Sequence, residues 1–220
     1  MNVGSYHKQS SSSGLLTLQV DQSDLKAFAD FAALVPKAAI AAQRRAINKT
    51  LRWLRTYIAR EVSQQERVAV GAVRQRLRAY SVGSNGQGKL WFGINPIEAS
   101  RAGRPRQTRA GVSVGNRRYQ GAFFKKVYGG QPDIWIRTAS KHFKRSDYPA
   151  SEVSGAGGAS SGWISENDSR YPLAKAKISL DDVRPHFEKW VRQADQHLLK
   201  VLHQELNFEL QKYLRGSVRV

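Results

Sequence analysis

The apolar residues of this chain change period twice, and that limits its fold more than any other feature. From Pro36 onward Ile40, Ile47, Leu51, Leu54, Ile58 and Val62 recur at helical steps. Between residues 83 and 137 apolar and polar residues alternate, the pattern of strands with one covered face. After Pro185 the helical step returns through Phe187, Val191, Ala194, Leu198, Leu202, Leu206, Leu210 and Leu214. Strands bunched between helices predict an α+β fold: two N-terminal helices and a long C-terminal helix packed beside a largely antiparallel β-sheet.

Local punctuation sets the boundaries. Residues 1–14 are polar and Ser-rich and read as a mobile arm, leaving 15–220 as a single domain. LLTLQVD (15–21) alternates like a short strand, and DLKAFADFAALV reads as a helix that stops ahead of Pro36, with Asp21 or Ser23 as its cap. Pro36 suits the first turn of the next helix. ERVAVGAVRQRLRAYSV (66–82) reads as a short helix closed by a turn, and could pass for the second helix of a helix-turn-helix with Arg74, Arg76 and Arg78 toward phosphate. Strands are expected at 89–95, 111–115, 120–128 and 133–139, the last two closing a hairpin around Gly129, Gly130 and Pro132. SGAGGASSG (154–162) has linker composition but sits between Tyr148 and Trp163, so it reads as an insertion within the domain. Ser179 and Asp182 have capping-box spacing, while Pro185 starts the regular helix and leaves 179–184 as its lead-in turn.

Charge is the second constraint. Thirty-six Lys and Arg against 17 Asp and Glu give a formal charge of +19. Residues 40–80 carry ten cations and two acids, and residues 98–145 carry twelve and two, so these blocks supply +8 and +10 of that total. A field so strong attracts polyanions or acidic protein surfaces. Arg45, Lys49 and Arg52 form a basic stripe on the second helix, either a solvated face or a contact. Arg101, Arg104, Arg106 and Arg109 crowd the loop 98–110, which has little to bury. Arg117, Arg118, Lys125 and Lys126 interleave with Phe123, Phe124, Tyr128 and Trp135 along 116–137, cations beside aromatic anchors.

Signals for chemistry are missing. The chain has no cysteine, so neither a disulfide nor a thiolate metal site is available. The five histidines make no helical metal-ligand pair, and no phosphate loop or nucleophile elbow is present. The sequence therefore offers no catalytic, cofactor-binding or metal-binding residues, and predicts a non-enzymatic protein without a cofactor. The start lacks the apolar core of a signal peptide, and no stretch is long and apolar enough to predict a membrane span. Arg interspersed with Tyr, Trp and Phe suits nonspecific nucleic-acid binding through the basic helix and the Arg-rich loop, although no reader motif accompanies it.

The order of these pieces resembles a known family. AAQRRAINKTLRWLRT, then VAVGAVRQRLRAYSV, then RQTRAGVSV, then GAFFKKVYGGQPDIWIR, then YPLAKAKISL and a long last helix, is similar to the minor tail protein Z family of long-tailed phages. The likeness spans about residues 30 to 215 and lies in the arrangement. Its local marks are Ala46–Asn48 with Arg52, Val73–Leu77, Gly111–Val114, Gly121–Phe124 and Pro172–Leu173. The Ser-rich start, the 154–162 insertion and Lys175–Lys177 depart from it. The resemblance implies a structural virion protein, made in a bacterial cytoplasm, that helps join a finished tail to a DNA-filled head. Its implied partners are tail-terminator, head-completion or connector proteins, further copies of itself in a ring of six, and packaged DNA. On that reading the hairpin 116–137 is an interface element.

Overall fold

The computed structural model describes residues 4–10, 13–19, 26–127, 131–149 and 173–216. Helices and antiparallel sheets make it an α+β protein with a long C-terminal helix, as the change of period predicts. Its residues group into two compact units. One comprises Met1–Ala59, Arg76–Gly93 and Pro185–Val220; the other comprises Arg60–Gln75 and Ile94–Arg184.

In the first unit β1 (Gly4–Ser10), β2 (Ser13–Leu18), β3 (Leu77–Tyr80) and β4 (Gly88–Gly93) form an antiparallel sheet in the order β1-β2-β4-β3. The expected mobile arm therefore contains a strand: β1 pairs with β2, Gly4 opposite Leu18 and His7 opposite Leu15. Polar sequence hid it, because an edge strand can be held by backbone hydrogen bonds alone. The second half of ERVAVGAVRQRLRAYSV is also not helix. Its helix ends at Gln75 and Leu77–Tyr80 pairs with β4, which removes the helix-turn-helix reading.

Period-two alternation turns Leu16, Leu18, Leu77, Leu90 and Phe92 into the core. Helices α1 (Lys26–Leu34) and α2 (Pro36–Glu66) follow the sheet's first hairpin, and α2 starts at the proline expected for it. The caps proposed for α1, Asp21 and Ser23, lie outside the described residues. A Cβ on Gly88 would come within 2.6 Å of Ile47 Cγ2 and 2.7 Å of Leu51 Cδ1, so α2 seats on the sheet where Gly88 leaves room. From the other end of the chain, Phe187 and Trp190 place their rings 6.1 and 6.0 Å from that of Phe92. Trp190 is fully buried.

Two apolar stripes differ from expectation for one geometric reason. Ile47, Leu51, Leu54, Ile58 and Val62 are buried, but Ile40 is 63% exposed. At about 100° per residue, Ile40 lies about 140° round α2 from Val35. At that end the buried positions are Val35, Ala38, Ala39 and Ala42. The covered face thus winds round the helix as its neighbours change. The last helix, α4 (Phe187–Leu214), starts after a 3-10 turn at Asp181–His186 that contains Pro185. Ser179 there accepts the Asp181 N–H at 3.1 Å, rather than pairing with Asp182. Along α4 the leucines at steps of four advance about 40° each time, about 160° from Leu198 to Leu214. Leu198 and Leu202 are buried; Leu210 and Leu214 are exposed. The buried line continues instead through Val201, Glu205 and Glu209.

The second unit holds the remaining short strands. These are β5 (Ile97–Glu98), β6 (Arg106–Thr108), β7 (Gly111–Val114), β8 (Arg117–Gln120), β9 (Phe123–Lys125), β10 (Asp133–Arg137), β11 (Leu173–Lys175) and β12 (Lys177–Ile178). With them is α3 (Val70–Gln75). The strands make three antiparallel sheets, β11-β10-β9, β12-β5 and β6-β7-β8. The hairpin at 120–137 forms in the expected sense, with Phe124 opposite Ile134 and Phe123 opposite Trp135. Residues 117–120, however, pair back onto β7, so the stretch 116–137 serves two sheets. The bend glycines 129 and 130 and the segment 154–162 lie outside the described residues.

Candidate cationic interface

The basic stripe of α2 meets its counter-charges within its own unit. Arg45 Nε donates to Glu205 Oε2 at 2.6 Å, Arg45 Nη2 to Glu209 Oε1 at 2.5 Å, and Lys49 Nζ to Glu205 Oε1 at 2.5 Å. These pairs, with His197 stacked 4.1 Å from Trp53, show α2 and α4 running antiparallel. Burial alone would raise the Glu205 carboxyl, but hydrogen bonds from Lys49 and Arg45 outweigh it and hold it below its ordinary value. Arg45 and Lys49 are therefore structural cations here. Arg52, one turn on, is exposed. The one trace of this in the sequence is a pair of glutamates four apart, Glu205 and Glu209, within an apolar helical run, and it does not name their partners.

Two further candidates are also engaged. Arg101 Nε lies 2.7 Å from Glu98 Oε2. The other Glu98 oxygen faces Lys175 Nζ at 3.2 Å, and Asp133 Oδ2 faces the same amine at 3.1 Å. That amine lies 5.0 Å from the Trp135 ring centroid, and Trp135 is 5% exposed, which makes it a core side chain rather than a surface anchor. Arg117 reaches the end of α2, donating to the carbonyls of Glu66 at 2.6 Å and Arg67 at 3.1 Å. Those carbonyls have no partner within a helix that stops there, and a cation at a helix C-terminus also meets the favourable end of its dipole. Arg67 itself adopts φ 49°, the left-handed turn that ends many helices.

Arg104, Arg106, Arg109 and Arg118 behave differently. All four are exposed, and none makes an ion pair among the described residues. The loop expected at 98–110 is partly ordered: Ala99–Ala102 is a 3-10 turn and β6 pairs with β7. Across the β6-β7-β8 sheet Arg106 faces Ser113 and Ser113 faces Arg118, so one transverse row reads Arg, Ser, Arg. Val112, Val114 and Tyr119 alternate to the opposite, buried face. There Tyr119 stands edge-on to Tyr148, 6.2 Å between centroids, and burial pushes its phenol up to about 12.

Gln107 fastens this sheet to the hairpin. Its amide oxygen accepts the Phe124 N–H at 2.7 Å, while its amide nitrogen donates to Gly111 O at 3.2 Å and Ala122 O at 3.4 Å. Gln107→Ala should cost about 1–2 kcal/mol, since several backbone groups lose a partner together. Faster amide exchange at Phe124, with β10 unchanged, is the outcome expected from hydrogen-exchange mass spectrometry. Phe123 and Phe124 are half-buried, Lys125 and Lys126 are exposed, and Tyr128 lies outside the described residues.

A cleft of about 290 Å³ beside Arg117 is lined by Glu66, Arg118, Tyr119, Ser146, Asp147 and Lys177, among others. Lys177 Nζ donates to Pro149 O at 3.0 Å, so that ammonium is tied to the wall. Among the described residues no group of three His, Cys, Asp or Glu is placed to hold a metal ion, and no helix is long and apolar enough to cross a membrane. Comparison with protein-family models, curated proteins and solved structures gives no match.

Proposed function

We propose that this chain is a structural assembly protein of the kind that completes phage tails, working by docking onto neighbouring proteins near the junction with the head. One observation carries the reading: the outer end of the α2–α4 pair is apolar and open. Phe208, Leu210, Tyr213 and Leu214 on the last two turns of α4 are all at least 42% exposed. Leu34 and Ile40, at the α1–α2 corner, are exposed as well. Since Arg45 is level with Glu209, Ile40 lies about 7.5 Å further along α2, level with those last turns but about 140° round the helix from Arg45. Large exposed apolar side chains at one end of a helix pair are a common mark of surfaces covered in an assembly. The sequence resemblance supplies the kind of assembly, with tail-terminator or connector proteins and sister copies as the neighbours.

Deleting the gene from the phage or prophage that carries it should leave tails and filled heads unjoined in electron micrographs. The double variant Leu210→Ser/Leu214→Ser should fold, stay soluble and fail to restore joining. Particles of normal titre from the deletion would overturn the reading.

A further inference from the structure

The arginines on the outer face of the β6-β7-β8 sheet call for an anion of their own. Arg106 and Arg118 sit two strands apart in one row, about 10 Å between backbones, with only Ser113 between them. Neither one makes an ion pair among the described residues, although Arg118 shares a cleft with Glu66 and Asp147, in contrast to Arg45, Lys49 and Arg101, which are paired. The next row on the same face is Thr108, Gly111 and Gln120. Thr108, Ser113, Arg118 and Gln120, together with Gly111, Val112 and Tyr119, line a hollow of about 450 Å³, and Arg106 lies outside its lining. Arg104 and Arg109 are exposed at the two ends of β6.

The composition of this face selects its ligand. Protein interfaces are centred on aromatic or aliphatic anchors, and this face has none: its valines and Tyr119 point the other way. It also offers no ring on which a base could stack. What remains is guanidinium, hydroxyl and carboxamide groups over a glycine and serine floor. Those are the side chains that contact phosphate and sugar. We infer that the outer face of the β6-β7-β8 sheet holds the sugar–phosphate backbone of a nucleic acid, without reading its sequence. Arg106 and Arg118 each take a phosphate oxygen, and Thr108, Ser113 and Gln120 donate to the oxygens between. This site does not depend on the docking role of the α2–α4 end, and either can fail without the other.

The test is fluorescence anisotropy of the full-length chain with a labelled 30-base-pair DNA of mixed sequence, over a range of salt concentrations. Arg106→Gln/Arg118→Gln should weaken binding about tenfold and flatten the log–log salt dependence by about two contacts' worth. Ser113→Glu, which sets a carboxylate between the two guanidiniums, should weaken it comparably without touching either arginine. The matched control Arg44→Gln/Arg52→Gln, on exposed positions of α2, should change binding by less than half as much on a logarithmic scale. Equal losses from sheet and helix variants would reduce the effect to bulk charge and overturn the site. So would absence of DNA binding, or displacement of the DNA by a poly-glutamate peptide at equal charge concentration, which would make the face a protein contact.

Discussion

Gly111→Ala should lower the stability of the second unit by about 4 kcal/mol, the sum of backbone strain and overpacking. Gly111 has φ +147°, a conformation that residues with a Cβ rarely adopt. An added Cβ would lie 2.1 Å from the Tyr119 carbonyl oxygen and 3.0 Å from both Gln120 Cα and Gly121 N. All three belong to the backbone of β8 and the turn after it, so no rotamer change relieves the overlap. β7 and β8 must separate where Gly111 faces Gln120. Gly115→Ala is the comparison: its φ is +54°, but nothing lies within 4 Å of the new carbon. That change should cost only about 1 kcal/mol. Urea unfolding gives both numbers, and hydrogen exchange at Val112 and Val114 locates the damage. Equal costs for the two glycines would contradict the close packing of β7 on β8.

Arg45→Met should cost about 3 kcal/mol near neutral pH. Methionine keeps the aliphatic stem that covers α4 but removes the charge shared by Glu205 and Glu209, whose side chains are 7% and 4% exposed. Lys49 and Lys212 stay close to those carboxylates, which keeps the loss below that of a bare buried charge. The pH dependence gives a sharper reading. Glu205 has a folded-state pKa below its unfolded one, so the stability it contributes is complete above the unfolded value, about 4.3. That stability is lost as pH falls through the lower, folded value. The wild-type protein should therefore weaken along that acid limb, and Arg45→Met should weaken less. The gap between them narrows as pH drops below about 4. A gap constant from pH 7 to pH 3 would mean that Arg45 acts through packing alone.

Much of the architecture can be read from the chain because each long element repeats one local rule many times. Pro36 announces α2, the alternating 89–95 segment forms β4, and the hairpin at 120–137 closes as its pattern requires. What could not be read depends on tertiary partners. β1 shows no apolar alternation because its pairing is a matter of backbone. β8 is short and rich in arginine, and only its buried Tyr119 marks a covered face. The leucine run of α4 misleads because a step of four is not the helical period, and the true buried line passes through two glutamates.

The same limit governs the cations. Arg45, Arg101 and Arg117 look in sequence like Arg104, Arg106 and Arg118. Glu205 lies 160 residues from Arg45, and the helix end that Arg117 covers lies 51 residues before it. No local pattern records such distances, so a count of positive charge cannot separate structural arginines from free ones. The fold makes that separation, and the polyanion reading consequently moves from the α2 stripe to the β6-β7-β8 sheet.

That division between spent and available arginines is what the whole account rests on. Brief treatment of the free protein with an arginine-selective dicarbonyl reagent, followed by peptide mass spectrometry, measures it residue by residue. Arg106 and Arg118 should be modified early, while Arg45 and Arg117 lag by about an order of magnitude, held by their carboxylate and carbonyl partners. Equal rates at all four, or a protected Arg106 beside a reactive Arg45, would contradict the account.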